Sequence, residues 1–305
     1  MIRTILVTGG TGQLASALVA ASTGAASAIA GGVHCVGRPE FDFDRPETIE
    51  ASFRAASPSL VVNAAAYTAV DAAEKDSDAA YRANRDGPAI LARLCAEADI
   101  PLIHISTDYV FDGAKPSPYI ENDAVNPQGV YGASKLAGEE AVMRSGANAI
   151  VLRTAWVYAA NGKNFVRTML NLGKTRDRLS VVADQHGCPT NAADLSDAIL
   201  AIIGRIDATG WQAAYRGIFH AAGTGATTWH GLAVATFEDA GRHGAKVPDI
   251  APIATADYPT PAKRPANSRL DCTLLHDVFG VRLPHWRDSL TRTVDAIFKA
   301  DAATH

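Results

Sequence analysis

The chain of 305 residues has no long hydrophobic run: its longest apolar-looking stretch, residues 17–30, is mostly Ala broken by Ser, Thr and Gly, too short and too weakly hydrophobic to cross a bilayer. No membrane span is expected. Met1-Ile2-Arg3 runs directly into the strand-like Thr4-Ile5-Leu6-Val7, leaving no room for a charged leader, an apolar segment and a cleavage site, so a cytoplasmic location is expected. Cysteine is scarce: Cys35, Cys95, Cys188 and Cys272 form no C-x-x-C pair and share no zinc-like spacing with histidine. They read as reduced thiols that pack as small hydrophobes. An excess of one charge is also absent. A formal net charge of −4 gives no global attraction to nucleic acid or anionic lipid, so any anionic ligand must be met by a local pocket. Internal repeats, low-complexity tracts and clear linkers are lacking as well.

What is present is an ordinary globular mixture, 48% hydrophobic and 20% charged, long enough to bury a sizeable core. Residues 2–8 are apolar and β-branched, end at Gly9-Gly10, and lead into a helix-forming run over 12–21. The alternation continues with strands over 33–36, 59–63, 101–105 and 149–152, separated by helical patterns over 46–56, 76–99 and 131–145. Continuously apolar strands between helices predict a doubly wound, parallel-sheet α/β fold of the Rossmann type. Residues 1–155 are read as the dinucleotide-binding part. Residues 156–305 are read as a smaller substrate-binding lobe, woven onto the first part rather than strung from it. In that lobe 165–172, 193–203 and 289–299 look helical and 179–182 and 217–220 look like strands, while the prolines at 248, 252, 259, 261 and 265 mark a long loop.

The first strand-to-helix turn reads Thr8-Gly9-Gly10-Thr11-Gly12-Gln13-Leu14-Ala15. Glycines here let backbone approach a ligand closely while the N–H groups of the helix start point outward, which suits a pyrophosphate. The spacing is G-x-x-G-x-x-A, so the ordinary G-x-G-x-x-G fingerprint is not met. After the second strand, where an NAD enzyme often places an acid on the ribose, stands Arg38, which suits a 2′-phosphate; the alternative is a solvated surface arginine. NADPH is therefore favoured, with NADH possible.

Tyr131 and Lys135, four residues apart on a predicted helix, share one face. A free tyrosine, with a pKa of about 10, is a poor acid–base at neutral pH, and an adjacent ammonium is expected to lower that value. The Tyr/Lys spacing alone is common. Its context is not: Ile105-Ser106-Thr107-Asp108 ends a buried strand just upstream, where open α/β sheets bind ligands, and Thr107 supplies a third hydroxyl.

These segments, with Asn63-Ala64-Ala65-Ala66-Tyr67-Thr68-Ala69-Val70-Asp71 and Tyr131-Gly132-Ala133-Ser134-Lys135-Leu136-Ala137-Gly138-Glu139, resemble the dTDP-4-dehydrorhamnose reductase family of extended short-chain reductases. Arg153-Thr154-Ala155-Trp156-Val157-Tyr158, Asp184-Gln185-His186-Gly187-Cys188-Pro189-Thr190 and Tyr258-Pro259-Thr260-Pro261-Ala262-Lys263-Arg264-Pro265-Ala266-Asn267-Ser268 extend the likeness over most of the chain.

The resemblance implies reduction of the C4 ketone of dTDP-4-dehydro-L-rhamnose, with Thr107, Tyr131 and Lys135 as catalytic residues. It implies cofactor contacts at Gly9, Gly12, Gln13, Leu14, Arg38, Asp42, Phe43, Ala64, Ala65 and Tyr67, shared with Tyr131 and Lys135. Thr107, Asp108, Trp156, Arg264 and Asn267 are implied for the nucleotide sugar, and Asn84 as a helix residue supporting the site. Some relatives dimerise around a metal, but the matching Ala15-Ser16-Ala17 and Asn191-Ala192-Ala193 carry no carboxylate, so no metal and a monomer or weak homodimer are expected. Another sugar-nucleotide reductase or epimerase, or a non-catalytic NADP-binding regulatory subunit, is the alternative.

Overall fold

A computed structural model describes residues 2–22 and 32–303, so part of the alanine-rich stretch at 17–30 lies outside the described residues. The chain opens with β1 (Ile5–Thr8), α1 (Gln13–Ser22), β2 (Val33–Val36), α2 (Pro46–Ala56) and β3 (Leu60–Asn63). Two short helices, α3 (Val70–Ala73) and α4 (Ser77–Tyr81), lead through a π turn at Arg82–Asp86 into α5 (Gly87–Glu97). Then follow β4 (Leu102–Thr107), α6 (Val130–Arg144) and β5 (Ala149–Thr154). The later part comprises β6 (Val157–Tyr158), α7 (Phe165–Gly173), β7 (Arg178–Val182), β8 (His186–Gly187), β9 (Thr190–Asn191) and α8 (Ala192–Thr209). It ends with β10 (Gly217–His220), β11 (Thr227–Thr228), α9 (Trp229–Arg242), β12 (Asp249–Ile253), β13 (Asn267–Ser268), α10 (Thr273–Phe279) and α11 (Trp286–Ala303).

The central sheet is parallel throughout, in the order β10-β5-β4-β3-β1-β2. Period-two alternation within the apolar strands fills both faces. Ile5, Val7, Leu60, Val62, Ile103, Ile150 and Leu152 point to one core, which α1, α8 and α10 cover. Leu6, Val61, Leu102 and Val151 point to the other, covered by α2, α5 and α6. Because the chain leaves β1 for β2 on one side and returns to β3 on the other, a crevice opens at the carboxyl ends of β1 and β3. β10, from beyond residue 155, completes the sheet beside β5.

Three local differences from the sequence pattern have physical causes. Residues 76–99 are not one uniform helix, because the π turn at Arg82–Asp86 inserts an extra residue and buries Asn84. α9 escapes sequence notice because Gly231, Thr236 and Gly241 dilute its apolar face, yet Leu232, Ala233, Ala235, Phe237 and Ala240 are all buried. Within the proline-rich segment β12 pairs with β7 alone, an edge position where Pro252 is tolerated.

α6 is pressed onto its neighbours through two glycines. A Cβ on Gly132 would lie 2.2 Å from the Tyr109 carbonyl oxygen, and one on Gly138 would lie 1.9 Å from the Asn84 carbonyl oxygen. Gly138→Ala is therefore expected to destabilise the protein by about 1–3 kcal/mol through overpacking. Gly204→Ala, in α8 with open space around it, is expected to stabilise by about 0.5–1 kcal/mol. Urea unfolding of the two variants beside the wild type checks both signs.

Candidate active site

The glycine turn after β1 is built for close approach. Gly9 (φ 116°) and Gly10 (φ 53°) adopt backbone conformations that side chains rarely enter, and both donate their N–H groups to the Val36 carbonyl, at 3.0 and 2.9 Å. A Cβ on Gly9 would meet the Ala64 backbone at 3.2 Å, and one on Gly37 would meet the Gly10 Cα at 2.7 Å. Only glycines let these chain segments close around the crevice. The Leu14 side chain lies in the core, so what it can offer a ligand is its backbone N–H at the helix start. Gln13 Oε1 accepts from Asn164 Nδ2 at 2.9 Å, tying the turn to the N-cap of α7.

Beneath the turn runs a buried polar chain across three strands. Ala65 N–H donates to Thr8 Oγ1 (3.2 Å), the Thr8 hydroxyl donates to Asn63 Oδ1 (2.7 Å), and Asn63 Nδ2 lies 3.0 Å from His104 Nδ1. Burial and the nearby Lys135 charge hold His104 neutral. On the rim, exposed Arg38 pairs with Asp42 at 3.0 Å and Asp44 at 2.8 Å, and Asp44 also takes Arg82 at 2.9 Å, which lowers its pKa. Arg82 is thus a second rim cation that the sequence pattern did not single out. The Phe43 ring packs on Gly87, where a Cβ would lie 2.0 Å from it, and meets Phe41 edge-on.

The structure brings Thr107, Tyr131 and Lys135 together at the carboxyl end of β4. Lys135 is buried and its ammonium donates to the Ile105 carbonyl at 2.6 Å. Burial pushes its pKa down to about 8, with Glu139 acting in the opposite direction. The Thr107 hydroxyl accepts from Tyr109 N–H (3.2 Å), donates to Asp108 Oδ1 (3.1 Å) and meets the Tyr131 phenol. The anticipated lowering of the tyrosine pKa is not what the protein alone produces. Loss of water around Tyr131 raises its value, the Thr107 contact offsets this only in part, and the Asp108 charge adds to the rise. Tyr131 is therefore held as a neutral phenol.

Asn84 clamps this arrangement. Its Oδ1 accepts from Tyr67 N–H (2.9 Å), and its Nδ2 donates to the Tyr67 carbonyl (3.1 Å) and to Ser134 Oγ (3.0 Å), joining the loop after β3 to the first turns of α6. Glu74, just past α3, caps α6 by accepting from Val130 N–H at 2.8 Å. Nothing local marks Glu74 for that task. Behind the helix, Glu139 and Arg153 form a buried ion pair at 2.7 Å, with the Ser106 hydroxyl donating to the same carboxylate.

Of the residues assigned to the sugar nucleotide, Asp108 is buried beside Thr107 and Ser268, and its second oxygen has no partner among the described residues. Trp156, just past β5, is half-buried. Arg264 donates to Asp71 at 2.7 Å and lies 3.4 Å from the hydroxyl of Tyr109, whose ring meets Tyr131 edge-on at 5.4 Å. Asn267 requires correction as a diphosphate ligand. Its Nδ2 donates to the Lys115 and Ser117 carbonyls (2.6 and 2.8 Å), and its Oδ1 accepts from Arg269 N and Nε (3.1 and 2.8 Å), which occupies every donor and acceptor of the amide. It shapes a loop instead.

A glycine-lined strand-to-helix turn at the switch point of a parallel sheet, with hydroxyl, phenol and ammonium at the end of β4, defines a nicotinamide-nucleotide oxidoreductase of the extended short-chain class. Residues 3–298 match the model for the RmlD substrate binding domain. The chain belongs to the dTDP-4-dehydrorhamnose reductase family: it is 48% identical over 297 residues to the dTDP-4-dehydrorhamnose reductase of Sinorhizobium fredii, covering 96% of this chain and 97% of the relative. It is 46% identical to that of Burkholderia thailandensis, covering 93% and 95%. The solved structure of the Clostridium acetobutylicum reductase superposes with a TM-score of 0.88 at 36% identity, covering 96% and 99% of the two chains. That of the Bacillus anthracis reductase, in complex with NADP, does so with a TM-score of 0.85 at 32% identity, covering 97% and 100%.

The Asp108 environment makes a pH-dependent prediction. Burial lifts its pKa to about 6, above the ordinary carboxyl value, so folding favours the protonated form. That contribution is full below about pH 4 and is lost as pH rises through about 6. Relative to wild type, Asp108→Asn should gain stability between pH 4 and pH 7, on the order of 2 kcal/mol. Urea unfolding across that range measures it; a difference that does not change with pH would mean that the ionised carboxylate is not penalised.

Proposed function

We propose that the protein reduces the C4 ketone of dTDP-4-dehydro-L-rhamnose to the alcohol of dTDP-L-rhamnose, with NADPH as donor and NADH as a possible substitute. The observation that carries this reading is the neutral Tyr131 phenol beside Thr107 at the carboxyl end of β4, in a chain nearly half identical to reductases of that name. The turn fits a nicotinamide nucleotide, because Gly9, Gly10 and Gly37 pack backbone on backbone, a Cβ on Gly37 lying 2.7 Å from the Gly10 Cα, and keep side chains away from the start of α1. Gly9, Gly12 and the N–H groups of Gln13 and Leu14 would hold its pyrophosphate, Arg38, Asp42 and Phe43 its adenosine end, and Ala64, Ala65 and Tyr67 its flank. When bound, this group supplies the hydride.

The chain's own residues handle the proton. As the ketone oxygen gains charge, Tyr131 gives it the phenolic proton: the tyrosine O–H bond breaks, the new hydroxyl forms at C4, and phenolate remains. A raised tyrosine pKa suits a donor, since the proton stays in place until the alkoxide develops. Thr107 holds the ketone oxygen by turning its one hydroxyl proton from Asp108 Oδ1 to the substrate, and the buried Lys135 ammonium supplies the positive charge that favours the phenolate left behind. Asp108, Trp156 and Arg264 would face the sugar nucleotide, with residues 156–305 forming most of that lobe. Among the described residues no helix is long and apolar enough to cross a membrane, and we place the reaction in the cytoplasm, on a monomer or weak homodimer.

Incubation of the protein with NADPH and dTDP-4-dehydro-L-rhamnose should consume NADPH and yield dTDP-L-rhamnose. A wild type without turnover would remove the assignment, and an isomeric or epimerised product would favour the neighbouring sugar-nucleotide chemistry. Tyr131→Phe should lower kcat by roughly 10²–10⁴-fold. Because the active form carries a charged Lys135, kcat/KM should fall as pH rises through about 8. A profile flat to pH 9.5 would contradict a role for the ammonium.

A further inference from the structure

Trp156 is held in an unusual way. Its φ of 50° places a bulky residue in the left-handed region, a conformation that costs on the order of 1–3 kcal/mol and persists only where the surroundings impose it. Two neighbours do so. A Cβ on Gly187 would lie 2.4 Å from Cε2 of the Trp156 indole and 2.7 Å from Nε1, so the ring rests on bare β8 backbone. The Trp229 indole stacks on it with ring centres 3.6 Å apart and planes within 9°. Phe165, at the start of α7, leans on Trp229 at 4.7 Å.

Trp229 is itself rigid. It opens α9 directly after Thr228, whose hydroxyl accepts from Gly231 N–H at 3.0 Å, and a Cβ on Gly231 would strike the Thr227 hydroxyl at 2.3 Å. The ladder between β4 and β5 pairs Thr107 with Thr154, which sets Trp156 two residues beyond the level of the catalytic threonine. Trp156 stays half-buried, so part of the indole is open. Simple core filling does not call for a strained backbone; a fixed orientation does.

We infer that Trp229 is a positioning residue that sets the angle of the Trp156 indole at the sugar-facing wall, and through it the affinity for the nucleotide sugar but not for the nicotinamide nucleotide. This rests on the reading of Trp156 as a sugar contact. With one ring face on the Gly187 backbone and the other under Trp229, the indole offers its edge, and that fixed edge is what the deoxysugar's methyl and C–H surface would pack against.

Closely stacked indoles give an exciton couplet in the far-ultraviolet circular dichroism spectrum. The ligand-free protein should show one that Trp229→Phe and Trp156→Phe each abolish, while Trp211→Phe and Trp286→Phe leave it in place. In steady-state assays with NADPH and dTDP-4-dehydro-L-rhamnose, Trp229→Leu should raise KM for the sugar nucleotide by about tenfold, the scale of one aromatic pair. KM for NADPH should stay within about twofold, on the same energy scale, and Trp229→Phe should recover most of the loss. A couplet that survives Trp229→Phe, or a KM for the sugar nucleotide that Trp229→Leu leaves unchanged, overturns the inference alone. A wild type that turns over no sugar nucleotide overturns the functional reading and this inference with it.

Discussion

Three charged side chains, Lys135, Glu139 and Arg153, are buried between α6 and the sheet, and the geometry of the site depends on their being satisfied together. A buried charge without partners costs several kcal/mol, so α6 is held to the register in which Glu139 meets Arg153 on β5 and Lys135 reaches the Ile105 carbonyl on β4. The glycines at 132 and 138 permit the approach that this register demands. Tyr131 then has little freedom: it lies one turn before Lys135, at the level of Thr107, because the helix cannot slide without stranding a charge.

The cofactor side is coupled to that helix by neutral hydrogen bonds rather than by charge. The Thr8–Asn63–His104 chain crosses β1, β3 and β4 under the glycine turn, and Asn84 binds the loop after β3 to the start of α6. Thr8, Asn63, His104, Asn84 and Ser134 are all buried, where each bond is strong and each missing partner expensive. A strap from the proline-rich segment closes the opposite side, with Arg264 joining Asp71 to Tyr109 and Tyr109 packing against Tyr131. The Tyr131 phenol is thus bounded by elements from well-separated parts of the chain.

Legibility in the sequence followed the range of the interaction. The apolar strands, the glycine turn and the i,i+4 spacing of Tyr131 and Lys135 are local patterns, and the strands from 33–36 to 149–152 lie where period and turn residues place them, to within two residues. α9 and α10 were not legible: the first has a diluted apolar face, and the second is a short helix, Thr273–Phe279, stabilised mainly by inserting Leu275 and Phe279 into a core built by other segments. Glu74 as a cap and Asp71 as the partner of Arg264 stand 56 and 193 residues from what they bind, beyond any motif.

By itself the sequence determined the class of fold and the glycine turn after the first strand, and it singled out the phenol, hydroxyl and ammonium that the fold brings together, because these depend on residue type and short-range spacing. Tertiary structure decided the electrostatics. Burial, which no spacing reveals, raises the Tyr131 pKa and keeps the phenol neutral, and draws Lys135 down to about 8. It also decided which polar groups remain free to act: the Asn267 amide is taken up by the Lys115–Ser117 loop, whereas one oxygen of Asp108 is left open beside Thr107. A residue's chemistry is written in the sequence, but its access to water and to partners is set only when distant segments pack around it.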